Sequence, residues 1–265
     1  MAQAPATVSL QSEVDELLTI RATVAGHEGV FLFDSGGGVS SITPEFAAVI
    51  GCHPWGQITG FRMTGQRVDM QRCDGIAFTF AGSSFPAGTV GVLDLSKYLP
   101  SGLGHIDGTI ALDVFANRAF TFSYAGHFIH FHDARELEQR TKTLHAMPLR
   151  VVRDAQGLAL SVDFPVLTPD GTAWFEMDSG NTSSFVIVGK HLAPLFRLSP
   201  DKKEPQKVNL TLADGTRFEG GVRVLDLVLD GNLGTSFLSR YDVTLDLAHQ
   251  TGWVTPYAPA RRTDE

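Results

Sequence analysis

The sequence is poor in cysteine, in basic charge and in long apolar runs. It has two cysteines, and its 21 lysines and arginines against 29 aspartates and glutamates give a formal net charge of −8. This excess of acid disfavours nucleic acid and anionic membrane surfaces as partners, because both attract basic proteins. No apolar run reaches the roughly 20 residues that a membrane-spanning helix needs, so we expect no membrane span.

The two cysteines, Cys52 and Cys73, leave two interpretations open. They form one disulfide in an oxidising compartment, or they are buried free thiols, and their spacing does not fit a metal site. The chain opens with Met-Ala-Gln-Ala-Pro-Ala, which resembles a mature N-terminus after signal cleavage. We therefore expect a periplasmic or secreted protein. An ordinary frayed terminus, and with it a cytoplasmic protein, is the alternative.

Glycine and phenylalanine are abundant, at 27 and 18 residues, which favours turns and aromatic-rich strands over long helices. Runs such as AFTFSY (119–124) and VRVLDLVLD (222–230) are alternating or continuously apolar, as in strands. A short helix is predicted after Thr43, with Pro44 at its first position and Gly51 at its end. A weaker helix is expected over 190–196. The sequence thus predicts an all-β protein with short helices.

Two pairs of similar segments follow each other in the same order. FLFDSGGGVSSI (31–42) matches FEMDSGNTSSFVI (175–187), and IDGTIALDVFANRAFTF (106–122) matches LDGNLGTSFLSRYDVTL (229–245). Such self-similarity indicates an internal duplication. We expect one unit at 1–140 and a second at 141–265, with the boundary in the polar stretch 135–147.

Each repeat places an aspartate, Asp34 or Asp178, after an apolar strand and before Ser-Gly. Duplication is expected to bring the two strand ends together. Two carboxyl groups about 3 Å apart share one proton. The ionised member then takes a proton from water while the other donates to a carbonyl oxygen, which hydrolyses an amide with neither metal nor cofactor. Because Asp-Ser-Gly is also common in turns, a structural role in an inactive protein is the alternative.

These residues resemble a known group. Apolar–apolar–Asp–Ser–Gly, followed by apolar–apolar–Gly, resembles the clan of aspartic peptidases that includes pepsins and retropepsins. The resemblance covers nearly the whole chain, twice, and is closest to bacterial retropepsin-like proteins with both lobes in one chain. It implies two pseudo-symmetric acid-protease β-barrel lobes with an active site at their interface. Two lobes in one chain also imply a monomer.

By this resemblance Asp34 and Asp178 form the catalytic pair. The expected supporting residues are those after each aspartate: Ser35, Gly36, Gly37, Ser179, Gly180 and Asn181. The serines would exchange hydrogen bonds across the interface, and Gly36 and Gly180 would offer backbone N–H groups to the carboxylates. The segment 56–69, with a Thr64-Gly65 tip, resembles a flap over the cleft.

The sequence departs from the group after each Asp-Ser-Gly. Ala, Ser or Thr is usual there, whereas this chain has Gly37 and Asn181. Asn181 can donate through its amide and Gly37 cannot, so we expect unequal environments for the two aspartates. Ala111 replaces a usual glycine. Asp107 and Asp230 accompany the second pair of segments, where we expect a turn or capping role.

The preferred function is peptide-bond hydrolysis on a substrate extended beneath the flap. The first alternative is a glycoside hydrolase on the same scaffold, whose two carboxyl groups would be about 5–5.5 Å or about 6.5–9.5 Å apart. The second alternative is a binding module without activity. The expected partner is thus a peptide or a carbohydrate.

Three histidines lie on one predicted strand, HFIHFHD (127–133). His130 and His132 share a face at a spacing of two, which a metal can use. The sequence places no third ligand beside them. We therefore expect a solvated strand face and no metal site.

Overall fold

A computed structural model describes residues 6–13, 16–100 and 102–259. Residues 1–5, which carry most of the signal-cleavage pattern, lie outside the described residues. Strands dominate the described ranges and helices are short, so the prediction of an all-β protein is confirmed.

The strands are numbered β1 to β21 in chain order. They are Ala6–Ser9, Gln11–Ser12, Leu18–Val24, His27–Phe33, Ser41–Ile42, Trp55–Phe61, Arg67–Phe80, Ser83–Val92, Gly108–Ile110, Ala119–Ser123, Phe128–His132, Met147–Pro148, Arg150–Val152, Ser161–Thr168, Gly171–Met177, Val186–Gly189, Gln206–Thr211, Arg217–Leu225, Gly231–Leu233, Tyr241–Asp246 and Thr251–Pro256.

The α-helices are α1 (Pro44–Val49), α2 (Ala134–Thr141) and α3 (Thr235–Leu238). Helix α1 is the predicted one, and the Thr43 side chain accepts from the Phe46 N–H at 3.2 Å. The 3₁₀ segments that lie wholly within the described ranges are Leu95–Lys97, Leu112–Phe115, Ala155–Gly157 and Lys190–Phe196. The last is the weaker predicted helix, and it forms as a 3₁₀ segment containing Pro194.

Three sheets hold the strands. An eight-stranded sheet has the order β2-β3-β4-β9-β5-β8-β7-β6, and a seven-stranded sheet has the order β13-β14-β15-β19-β16-β18-β17. The third sheet, β1-β11-β10-β20-β21-β12, takes strands from both ends of the chain. Its centre pairs β10 with β20 in antiparallel register, with Phe120 opposite Leu245. This six-stranded sheet therefore joins the first and second parts of the molecule.

Aromatic residues fill the core of the first part. Phe115 is fully buried and its ring meets those of five other phenylalanines, at centroid distances of 5.1 to 6.2 Å. Several of these contacts are edge-to-face, a geometry that adds to the free energy gained by burying the rings. The phenylalanine-rich composition is thus used to pack strands against each other.

The region predicted as a flap is a hairpin of β6 and β7. Its turn is closed by hydrogen bonds between Arg62 and Gln66 and between Gly65 and Arg62, and Gly65 adopts a φ of +79°, which glycine tolerates. At the tip, the Met63 carbonyl accepts from the Val228 N–H at 2.9 Å. The hairpin therefore reaches a segment of the second part of the chain.

The stretch expected to contain a domain boundary is partly helical. Helix α2 begins after Asp133, whose carboxylate accepts from the Glu136 N–H at 2.8 Å, and the expected division between residues 140 and 141 falls at its last residue. The two pseudo-symmetric lobes and their limits stay predictions.

Cys52 and Cys73 form a disulfide, so the first of the two interpretations is confirmed. The bond links Cys52, in the segment after α1, to Cys73, which is fully buried in β7. The Cα–Cα distance is 6.2 Å.

We predict that replacing both cysteines, Cys52→Ala with Cys73→Ala, lowers the free energy of unfolding by about 3 kcal/mol, because the bond closes a loop of separation 21. Urea denaturation followed by circular dichroism measures this change. Reductant should bring the wild type to the midpoint of the double variant and leave the variant unchanged. Equal midpoints for the oxidised and reduced wild type contradict the prediction.

Candidate active site

The two aspartates lie at the ends of equivalent strands. Strand β4 ends before Asp34 and β15 ends before Asp178. Strand β4 pairs in parallel with the short strand β9, and β15 pairs in the same way with β19. The Asp34 N–H donates to Ile110 O at 3.0 Å, and the Asp178 N–H donates to Leu233 O at 3.2 Å, so each aspartate extends the backbone pairing of its strand. A buried apolar strand thus fixes the direction in which each carboxyl group leaves the sheet.

The serines that follow the aspartates interlock. The Ser35 N–H donates to Ser179 Oγ at 3.0 Å, and the Ser179 N–H donates to Ser35 Oγ at 2.9 Å. Each hydroxyl then donates across the contact, Ser35 to Met177 O at 2.9 Å and Ser179 to Phe33 O at 3.0 Å. Both serines are buried, so four hydrogen bonds shielded from water join the two strand ends.

The glycines give the carboxyl groups room and donors. The Gly36 N–H donates to Asp34 Oδ1 at 3.1 Å, and the Gly180 N–H donates to Asp178 Oδ1 at 2.9 Å. A Cβ on Gly36 would lie 2.5 Å from Asp178 Cγ, and one on Gly180 would lie 2.6 Å from Asp34 Oδ1. Only glycine therefore lets each turn approach the opposite carboxyl group.

The carboxyl groups of Asp34 and Asp178 are neighbours, since each lies against the turn that follows the other aspartate. The structure thus brings together the two aspartates and the four residues that the sequence places directly after them, Ser35, Gly36, Ser179 and Gly180.

Gly37 and Asn181 give the two aspartates different surroundings, but the Asn181 side-chain amide does not donate to Asp178 as expected. The Asn181 backbone N–H donates to Asp178 Oδ1 at 3.1 Å, while its side-chain amide donates to Asn232 Oδ1 at 2.7 Å. Asn232 in turn donates to Asp178 Oδ2 at 2.8 Å. A Cβ on Gly37 would lie 3.1 Å from Asp34 Cγ. Asn181 therefore positions a second amide rather than donating its own.

Asn232 is a site residue that the sequence interpretation missed. It is fully buried, at the central position of β19 in the segment LDGNLG. The corresponding residue of the first part is Thr109, which contacts Ser41 Oγ at 2.9 Å instead of an aspartate. The signal was available: a buried strand rarely carries Asn unless its amide has partners.

Burial and mutual repulsion govern the protonation of the pair. Removal from water, with the negative charge of Asp178 next in effect, raises the pKa of Asp34 to about 7. Burial also raises the pKa of Asp178, but the hydrogen bonds from Asn232, Gly180 and Asn181 oppose the rise. The shared proton therefore belongs on Asp34, and the negative charge on Asp178.

Two further acids lie behind Asp178. Glu176 is buried, and burial, with Asp178 as the largest neighbouring charge, raises its pKa well above the usual value. Asp163 stands opposite Glu176 in the β14–β15 ladder, and burial raises its pKa to about 7. Asn232 also lies 3.4 Å from Glu176 Oε2, whereas the first part of the chain has buried Leu32 at the matching place.

Asp107 and Asp230 have the capping role that was expected. Asp107 Oδ2 accepts from the Val30 N–H at 2.8 Å, and Asp230 Oδ2 accepts from the Trp174 N–H at 2.9 Å. Each carboxylate thus satisfies a backbone donor on the strand that leads to Asp34 or to Asp178. They are not part of the carboxyl pair.

None of the described helices is long and apolar enough to cross a membrane. No model of a known protein family matches the chain, and no curated protein matches it.

Solved structures do match the fold. Basic 7S globulin from soybean is 13% identical with a TM-score of 0.62, over 96% of this chain and 95% of that one. Conglutin gamma, a basic 7S globulin from lupine seeds, is 10% identical with a TM-score of 0.59, over 96% and 95%. The protein edgp is 10% identical with a TM-score of 0.59, over 97% and 95%. At such identities the likeness shows a shared fold alone.

These comparisons overturn the family expectation from the sequence. The identification with the pepsin–retropepsin clan, and with its bacterial single-chain members, is wrong: two of these three structures are globulins by name, and no family model supports membership. The reason is physical. The Asp-Ser-Gly and apolar–apolar–Gly motifs specify a strand end, a tight turn and interlocked serines, and a fold can require these without sharing a family's activity.

We predict that Ser35→Ala lowers the free energy of unfolding by about 1–3 kcal/mol, because it leaves the buried Ser179 N–H and Met177 carbonyl without their partners. Chemical denaturation measures the change. Ser84→Ala, on an exposed position of β8, is the matched control and should stay within about 0.5 kcal/mol of wild type. Equal losses in the two variants would refute the interlock.

We predict that stability falls as pH rises from 4 to 7. The pKa of Asp163 is about 7 in the folded chain against an ordinary 3.8, so the folded state holds a proton that the unfolded state releases over this interval. Asp34 adds to the trend in the same direction, since its pKa is also raised to about 7.

Thermal melts across this pH interval measure the trend. Residue 163 cannot titrate in Asp163→Asn, so the slope of the trend should be smaller, with the contribution of Asp34 remaining. Asp170→Asn, at an exposed position, should leave the slope unchanged. A melting temperature that rises with pH over the interval contradicts the assignment.

Proposed function

We propose that the chain is a hydrolase in which Asp34 and Asp178 activate a water molecule to cleave peptide bonds. The observation that carries the proposal is the juxtaposition of two carboxyl groups, with Asp178 buried and Asp34 partly buried, each packed against the turn that follows the other. Such a pair ionises once near neutral pH, which provides an acid and a base at one point. The two aspartates come from units at 1–140 and 141–265, and the reciprocal serine contacts support treating these as two related lobes.

The unequal surroundings assign the two roles. Asp178 is the base, because two backbone N–H groups and the Asn232 amide favour its ionised form. Asp34 is the acid, since burial raises its pKa to about 7 and keeps it protonated below that pH.

The reaction then follows from proton positions. Asp178 takes a proton from water as the water oxygen attacks the carbonyl carbon, and Asp34 donates its proton to the carbonyl oxygen. Collapse of the resulting diol returns one proton to Asp34 and delivers the proton on Asp178 to the leaving nitrogen. The pair ends in its starting state with the amide bond broken, so no metal and no covalent intermediate is needed.

Carboxyl separation favours peptides over glycosides. Glycosidases hold their two carboxyl groups about 5 Å apart or more, to leave space for the sugar or for a water beside it. Here each carboxyl group packs against the turn that follows the other aspartate, which favours the closer spacing. The β6–β7 hairpin, with Phe61 65% exposed near its tip, offers an apolar surface for an extended chain.

A binding module without hydrolytic activity is the competing function. It is favoured by two of the matching structures, which are globulins by name. It predicts that peptides bind and leave uncut. We place the protein in an oxidising, extracytoplasmic compartment in either case, because the disulfide persists there.

The experiment is a peptide-library digest followed by mass spectrometry from pH 3 to 8, with aryl glycosides in parallel. We expect peptide cleavage that declines above pH about 7, as Asp34 loses its proton. Asp34→Asn and Asp178→Asn should each abolish it, while Asp170→Asn, at an exposed position, should retain it. Binding without cleavage by wild type identifies the binding module, and glycoside cleavage by wild type identifies the glycosidase.

A further variant tests the assignment of the base. Asn232→Leu removes the donor to Asp178 Oδ2, so the pKa of Asp178 should rise and the acidic limb of the activity profile should move up by about one to two pH units. Leu233→Ile, at the next position of β19, changes no side-chain hydrogen-bonding group and serves as the control for altered packing. An acidic limb that stays in place shows that Asp178 is not the base.

A further inference from the structure

A group of polar side chains lies on the six-stranded sheet, away from the pair of aspartates in the fold. Strand β11 alternates, with Ile129 and Phe131 buried and His130 and His132 on its other face. Helix α2 starts immediately after this strand and brings Glu136 over the two histidines. A third ligand that the sequence did not place is therefore supplied by the unpredicted helix.

The three side chains are within reach of one ion. One ligand atom from each residue lies within 4.8 Å of the others. Glu136 Oε2 is 3.2 Å from His130 Nε2 and 3.6 Å from His132 Nδ1. Ligand atoms about 2.0–2.2 Å from a tetrahedral zinc ion lie about 3.4 Å from each other, so both distances fit.

The expectation that this strand face is solvated is wrong for His132. Its side chain is only 5% exposed, and its Nδ1 is buried without a hydrogen-bond partner. A buried ring nitrogen that lies 3.6 Å from the Glu136 carboxylate without a hydrogen bond lacks the partner that such groups require.

The other ring nitrogen has the partner that a metal ligand needs. His132 Nε2 lies 2.7 Å from Thr121 Oγ1, which lies 2.8 Å from Thr244 Oγ1. When Nε2 donates to Thr121, the lone pair of Nδ1 points to Glu136. Outer hydrogen bonds of this kind orient the imidazoles of metal sites.

We propose that His130, His132 and Glu136 bind one zinc ion, with the fourth position open to water. Two imidazoles and one carboxylate are a donor set that zinc accepts. Arg140 is the cation nearby, and its Nε donates to Thr244 at 2.9 Å, on the Thr121 side of His132. His130 also contacts Thr7 Oγ1 at 2.7 Å, so the ion would tie β1 and α2 to β11.

Isothermal titration of the metal-free full chain with zinc chloride tests the proposal. We expect one zinc per chain, with affinity at least about tenfold weaker in Glu136→Gln and in His130→Gln, since each removes one of three ligands. His249→Gln is the matched control, because His249 pairs with Asp246, at 2.8 Å, and is not one of the three proposed ligands. The zinc affinity of this variant should equal that of the wild type.

Cobalt provides a second readout that does not depend on stability. Its visible absorption in the wild type should show four- or five-coordination, and the spectrum should be lost in Glu136→Gln. Circular dichroism establishes that each variant is folded. Absence of binding by the wild type, or equal binding by Glu136→Gln and His249→Gln, overturns the proposal.

Discussion

The contact between Ser35 and Ser179 is the constraint on which the rest of the site depends. Each serine satisfies the other's backbone N–H and then donates to a carbonyl of the opposite strand, so neither turn is complete alone. Because the contact is buried, its hydrogen bonds do not exchange with water. It brings two carboxyl groups into the same small space, where burial raises the pKa of both and the charge of Asp178 raises that of Asp34 further.

The two pairs of similar segments differ in the polarity of their buried residues. Glu176 and Asn232 of the second part stand where the first part has Leu32 and Thr109. Both Glu176 and Asn232 lie beside Asp178. A buried acid costs free energy unless it is neutral or hydrogen-bonded. Glu176 meets this condition by staying protonated, since its pKa is well above the ordinary value. The difference between the two carboxyl groups thus comes from the buried polar residues next to Asp178.

Much of this architecture is readable from the sequence, because alternating apolar strands and Asp-Ser-Gly turns are local signals. The positions of Asp34 and Asp178 at strand ends and the cap at Thr43 belong to this class. Asn232 was missed because its role depends on a partner 54 residues away along the chain. Helix α2 was missed although Asp133 and Glu136 carry a capping signal, since its polar surface was interpreted as a connection. The family was misjudged because the motifs encode geometry, and geometry is shared more widely than activity.

The six-stranded sheet has a consequence for the order in which the chain becomes structured. Strand β10 finds its neighbour in β20, and Phe122 lies opposite Val243 only when nearly the whole polypeptide is present. Pairings between such distant segments incur a large loss of chain entropy before they gain any contact, so folding is slow. The first part of the chain therefore leaves the ribosome with one sheet edge open. Until β20 arrives, that edge is able to pair with other chains.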